Sequence, residues 1–107
     1  MQVITVTQSD FKQSVLENQQ PVFVDFYADW CAPCRITGPI IDQLAEETQG
    51  VKFVKIDVDK NPELATEYSV FSIPTFIIFN QGKIVTQMVG AQSKEGFLQE
   101  INKAVGK

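Results

Sequence analysis

"VDFYADWCAPCRITGP", from Val24 to Pro39, holds the chain's only tryptophan and both of its cysteines. Its left half continues an almost unbroken apolar run, "PVFVDFYA" (Pro21–Ala28), as expected of a central strand buried on both faces. Its right half opens a long helix, with Ile36, Ile40, Ile41, Leu44 and Ala45 at helical spacing and Gly50 closing it. The change of period falls on Cys31-Ala32-Pro33-Cys34. The helix is predicted to begin around Ala32, which puts Cys31 at or next to the N-cap. Pro33 then lies in the first turn, where its missing N–H costs nothing.

Working outward, the same alternation continues. "VITV" (Val3–Val6) reads as a short strand. Thr7 with Asp10 resembles a capping box before a first helix faced by Phe11, Val15 and Leu16. After the long helix, "VKFVKIDV" (Val51–Val58) is a strand, and Asn61 and Pro62 suit the N-cap and N1 of a short helix carrying Leu64, Ala65 and Tyr68. "TFIIF" (Thr75–Phe79) and "KIVTQMV" (Lys83–Val89) form a hairpin through Asn80-Gln81-Gly82. Ser93 caps a last helix whose predicted core face is Phe97, Leu98, Ile101, Ala104 and Val105. The order predicts an α/β fold: a mixed five-stranded sheet with four helices spread over both faces. No linker or repeat divides residues 1–107, so a single domain is expected.

Composition narrows the function. The chain has 107 residues, 44% of them apolar, and a formal charge of −4. That is too apolar for disorder and the wrong sign for an electrostatic grip on nucleic acid. The N-terminal "MQVITVTQSDF" lacks the basic and long apolar stretches of a signal peptide, and no run approaches a membrane span. The expected compartment is the cytoplasm, where lasting disulfides are unusual.

The cysteine pair admits several readings. A closed zinc site wants four Cys or His ligands, but the chain has two cysteines and no histidine, so only a site shared by two chains would serve. A structural staple across two residues removes little unfolded-chain entropy. Two inert core thiols would not usually occupy a turn at a strand-to-helix junction. C-x-x-C beside a βαβ pattern reads as redox-active. Near a helix N-terminus Cys31 is favoured as thiolate, the nucleophile of disulfide exchange. Cys34, one turn further in and expected to be less exposed, is the resolving thiol.

Three segments, "VDFYADWCAPCRITGP", "SIPTFIIF" and "VGAQSK", make the chain resemble the thioredoxin family over nearly its whole length. The resemblance implies the thioredoxin fold and a protein disulfide reductase without a cofactor of its own. It also implies recharging by a dedicated thioredoxin reductase, NADPH- or ferredoxin-dependent, and action as a monomer on disulfide-containing targets. Ala32 departs from the family's usual Cys-Gly-Pro-Cys, and Tyr27 stands where tryptophan is frequent. The rival class is a binding or chaperone-type module of the same fold, and such modules often lose a cysteine that this chain keeps.

Other residues carry two readings each. Asp25 is either a satisfied buried carboxylate or a general base; the resemblance favours a proton acceptor for Cys34. Lys55 shares a strand face with Val51 and Phe53, and is either an exposed strand-end lysine or the partner of Asp25. Pro74 is either a trans proline opening a strand or, by resemblance, a cis proline against the cysteines. Trp30, Ile73, Val89, Gly90 and Ala91 are each either core or turn residues, the plainer reading for Val89 alone, or, as a set matched to the family's substrate-contact positions, a docking surface. Pro39 is assigned to helix shape, as a kink near Arg35–Ile36.

Overall fold

The computed structural model describes residues 2–106. Five strands and four helices alternate except at one hairpin. They are β1 (Ile4–Thr5), α1 (Lys12–Leu16), β2 (Val22–Tyr27), α2 (Ala32–Glu47) and β3 (Lys52–Asp57), followed by α3 (Pro62–Glu67), β4 (Thr75–Asn80), β5 (Lys83–Val89) and α4 (Lys94–Ala104). The sheet order is β1-β3-β2-β4-β5. β1 and β2 both run parallel to β3, whereas β2–β4 and β4–β5 are antiparallel. The mixed sheet follows from the connections. The helical crossover between β2 and β3 forces a parallel pair, and the short turn between β4 and β5 forces a hairpin. Among the described residues no helix is long and apolar enough to cross a membrane.

The continuous apolar run of β2 is used on both faces. Val22, Val24 and Phe26 point into a layer with Phe11, Val15, Leu64 and Phe79, under α1 and α3. Phe23 points the other way, among Ile41, Leu44, Phe53, Phe76, Phe97 and Ile101, under α2 and α4. Asp25 shares the parity of Phe23 and thus faces α2. Phe23, Phe76 and Phe97 pack edge to face or tilted, with centroids 4.7–5.9 Å apart.

Several local expectations need correction. Ile36 is 68% exposed, because Cys34, Thr37, Ile41, Leu44 and Ala45 define the sheet-facing stripe of α2 and Ile36 lies a quarter-turn off it. Leu98 is likewise exposed; Phe97 and Ile101 alone are fully buried on α4. Thr7 and Asp10 form half a capping box: Asp10 accepts the Thr7 N–H at 2.7 Å, but the Thr7 hydroxyl donates to that carboxylate instead of accepting an N–H. α1 itself is a π-helical turn, with Glu17 N–H donating to the Lys12 carbonyl five residues back. Asn61 and Pro62 hold the N-cap and first positions of α3 as expected, but the Asn61 side chain makes no capping bond. That side chain is buried, accepting the Gln8 N–H and donating to the Asp57 carbonyl, and so ties the loop after β1 to the end of β3. Gly50 lies beyond the Thr48 C-cap, where its φ of +82° turns the chain into β3. Ser93 does cap α4, its hydroxyl accepting the Gly96 N–H at 3.0 Å.

Candidate functional site

β2 ends at Tyr27, and a four-residue turn delivers the chain to α2. Cys31 is the N-cap of α2, extended at φ −85° and ψ 110°. Its Sγ accepts the Cys34 N–H at 3.2 Å, one of the donors that a helix start leaves without a backbone partner. Cys31 and Cys34 are joined as a disulfide, with Cα atoms 5.2 Å apart. Behind them the buried Thr37 hydroxyl donates to the Pro33 and Cys34 carbonyls. Pro39 has no N–H to return to the Arg35 carbonyl, so the second turn of α2 is left one bond short. Ala32 and Pro33 are exposed. The expected difference in exposure between the two sulfurs is absent: Cys31 is 3% and Cys34 is 6% exposed. The physical reason is that Ala28, Tyr27, Val58 and Ile73 pack around the pair as a small apolar cluster of its own.

Asp25 opens from β2 onto a cavity of about 220 Å³ that Cys34, Lys55, Tyr27, Arg35 and Asp42 also line. It is 6% exposed, and its Oδ1 has no hydrogen-bond partner. Burial raises its pKa from an ordinary 3.8 to about 7; the Lys55 charge opposes that rise, and Asp42 adds to it. A carboxyl held there changes charge near neutral pH, beside the second cysteine. Lys55 is Asp25's register partner on the parallel neighbour β3. The expected direct pairing is not seen: among the described residues no ion pair joins them within 4.0 Å. The Lys55 ammonium lies over the Tyr27 ring instead, 5.7 Å from its centroid. Its effect on Asp25 is therefore through space.

On the opposite side of the disulfide, the Ile73–Pro74 peptide bond is cis and Pro74 is buried. The Ile73 carbonyl lies 3.7 Å from Cys31 Sγ. With the disulfide closed that sulfur has no hydrogen to donate, so this is a van der Waals contact. The Gly90 N–H donates to the Pro74 carbonyl at 2.8 Å, and Val89 pairs with Thr75, which brings the end of β5 beside the proline. Gly90 has φ +91°, a conformation that suits glycine. Val89 and Ala91 are exposed. Trp30 is 67% exposed, and its indole N–H donates to Asp59 at 2.7 Å.

Asp59 and Arg35 were not singled out from the sequence. Asp57 accepts the Asp59 N–H and so shapes the turn that presents Asp59 to Trp30. The D-x-D spacing signals that turn but not its tertiary partner. The Arg35 guanidinium donates to the Asp29 carbonyl at 2.9 Å, strapping α2 to the turn before it.

Comparison with known proteins agrees with this arrangement. A sequence model of the family described as thioredoxin matches residues 2–103. The chain is 45% identical to "Thioredoxin" of Pyropia yezoensis over 98% of its own length and 99% of the relative's. It is 45% identical to "Thioredoxin" of Rickettsia felis, covering 94% and 96% of the two chains. With "Thioredoxin 1" of a Nostoc species it shares 46% identity over 92% of each. The two-cysteine site kept within that match makes the chain a thiol–disulfide oxidoreductase that reduces protein disulfides through Cys31 and Cys34, and the binding-module alternative is not favoured. On both sequence and geometry, the chain belongs to the thioredoxin family.

Proposed function

We propose the following division of labour within this single-domain reductase. Cys31 thiolate attacks one sulfur of a target disulfide. The target's S–S bond breaks, a Cys31–target disulfide forms, and the other target sulfur leaves as a thiolate that takes up a proton. Cys34 then gives its proton to Asp25, attacks Cys31 Sγ, and expels the second target thiolate. Two electrons pass to the target; its two thiolates are protonated once from solvent, replacing the proton Cys31 had already lost, and once by the Cys34 proton that Asp25 releases. Lys55 tunes Asp25 by its charge. Trp30, Ile73, Pro74, Val89, Gly90 and Ala91 form the rim against which the target lies, with the Ile73 backbone available to an extended segment. Ala32 and Pro33 set the span between the sulfurs. A two-electron thioredoxin reductase, NADPH- or ferredoxin-dependent, restores the dithiol. The protein works as a monomeric electron carrier in cytoplasmic redox homeostasis.

The observation that carries the order of attack is Cys31 Sγ at the α2 N-cap, accepting the Cys34 N–H at 3.2 Å. In the reduced protein the same bond and the helix dipole stabilise a thiolate at Cys31 and not at Cys34. The test is trapping. Cys34→Ser is expected to hold a target as a stable mixed disulfide on Cys31, and Cys31→Ser to hold none. Mass spectrometry of the adducts reads the attachment site. Adducts on Cys34 in the Cys31→Ser protein, with none in the reverse variant, would reverse the order.

A further inference from the structure

Phe71 is 86% exposed, the most exposed of the large apolar side chains among the described residues. It directly follows Val70, which is buried in the core, so its exposure is not that of a loosely held terminus. It stands with Trp30 at the rim of a groove of about 520 Å³, floored by the half-buried Val58, Ala65 and Ile73 and edged by Thr66. Two aromatic faces left in water beside an apolar floor form a contiguous patch, and such patches mark contact sites more often than scattered exposed residues do.

The groove is continuous with the reactive sulfur. Ile73 belongs to both, since its carbonyl lies 3.7 Å from Cys31 Sγ. Cys31 is only 3% exposed, so a target chain has to come into close contact with the surface around it, which Ile73 belongs to. An extended chain advances ~3.3 Å per residue with side chains alternating in direction. A residue next to or near the attacked cysteine therefore projects over the groove. Charge supports an apolar occupant. The indole of Trp30 is held by Asp59, so a carboxylate already stands at this rim, and the groove lining carries no basic residue. An acidic flanking side chain finds no cation in that lining.

We propose that Phe71 and Trp30 are the two walls of a selectivity groove that takes a bulky apolar side chain flanking the target cysteine. Phe71 is then a specificity-determining residue: it chooses among disulfides without touching the reacting atoms. The proposal rests on Cys31 being the attacking thiol, as read above.

The test uses two peptides, each closed by one intramolecular disulfide, identical except that the residues flanking the cysteines are Leu in one and Ser in the other. The readout is the ratio of their second-order rate constants with the reduced protein. Both are attacked by the same sulfur, so the ratio cancels any change in thiol reactivity. The parent protein is expected to favour the Leu peptide by about fivefold or more, the size of an ordinary interface anchor. Phe71→Ser is expected to bring the ratio close to one, and Phe71→Leu to keep most of it. A ratio of one in the parent, or an unchanged ratio in Phe71→Ser, would overturn the proposal. A concentration-dependent dimer in sedimentation that Phe71→Ser abolishes would assign the groove to a second copy and also overturn it. The attacking thiol is read separately, from which cysteine holds the Leu peptide in Cys34→Ser and Cys31→Ser.

Discussion

At the scale of a residue, Asp25 is where stability and chemistry conflict. Its pKa is raised from 3.8 to about 7 by burial, so the folded state holds its proton more tightly than the unfolded chain does. The sign follows by linkage. Relative to low pH, stability falls as pH rises from about 4, where the unfolded carboxyl ionises, to about 7, and is then level. Asp25→Asn removes that loss. We expect the variant to be more stable by on the order of 2–4 kcal/mol above pH 7, with the gain vanishing below pH ~4. Denaturation midpoints across pH check this; a gain independent of pH would mean that ionisation is not its source. The same variant is expected to slow release of a trapped target more than its capture, because in the proposed mechanism the base serves Cys34. Stopped-flow kinetics of the two steps separates them.

At the scale of an element, the hairpin between β4 and β5 makes two adjacent demands on backbone conformation. Gln81 and Gly82 both have positive φ, 55° and 77°, the signature of a primed two-residue turn. Gly82 carries a second constraint: a Cβ there would stand 3.0 Å from the Leu16 carbonyl oxygen at the end of α1. Gly50 has a similar φ, +82°, but a Cβ there would meet nothing within 4 Å. The pair separates the two costs. Gly50→Ala is expected to lose about 1–2 kcal/mol, the usual penalty of a left-handed residue with a side chain. Gly82→Ala is expected to lose more, since backbone must also move. Urea midpoints of the two variants measure the difference; equal losses would show that the α1 contact yields freely.

At the scale of the molecule, two apolar layers on one sheet carry the stability. Phe97 is fully buried and touches Phe23 and Phe76, whereas its neighbour Leu98 is 37% exposed. Phe97→Ala is expected to cost about 3–5 kcal/mol and Leu98→Ala under ~1 kcal/mol, read as shifts in unfolding midpoint. That pair also marks how far the sequence can be read. Periodicity places Phe97 and Leu98 on one helix face, but which of two adjacent apolar residues the sheet covers depends on where α4 lies. Ile36 fails for the same reason. Asn61 looks like a cap because caps are local, yet its side chain is spent on Gln8, 53 residues away. The site was legible where it is contiguous, from Trp30 to Cys34. The resemblance supplied the distant Asp25, Pro74 and Gly90, but contacts that only folding assembles were not legible, as with Asp59 under Trp30 and the Tyr27 ring beside the Lys55 ammonium. Strand order has one more consequence, in time. β2 is made early, but its hydrogen bonds are complete only when β3 lies on one edge and β4, ending at Asn80, on the other. A nascent chain emerging from the ribosome thus carries this apolar strand with an open edge from the time Tyr27 is added until Asn80 is, and that interval is when it is most exposed to pairing with the wrong neighbour.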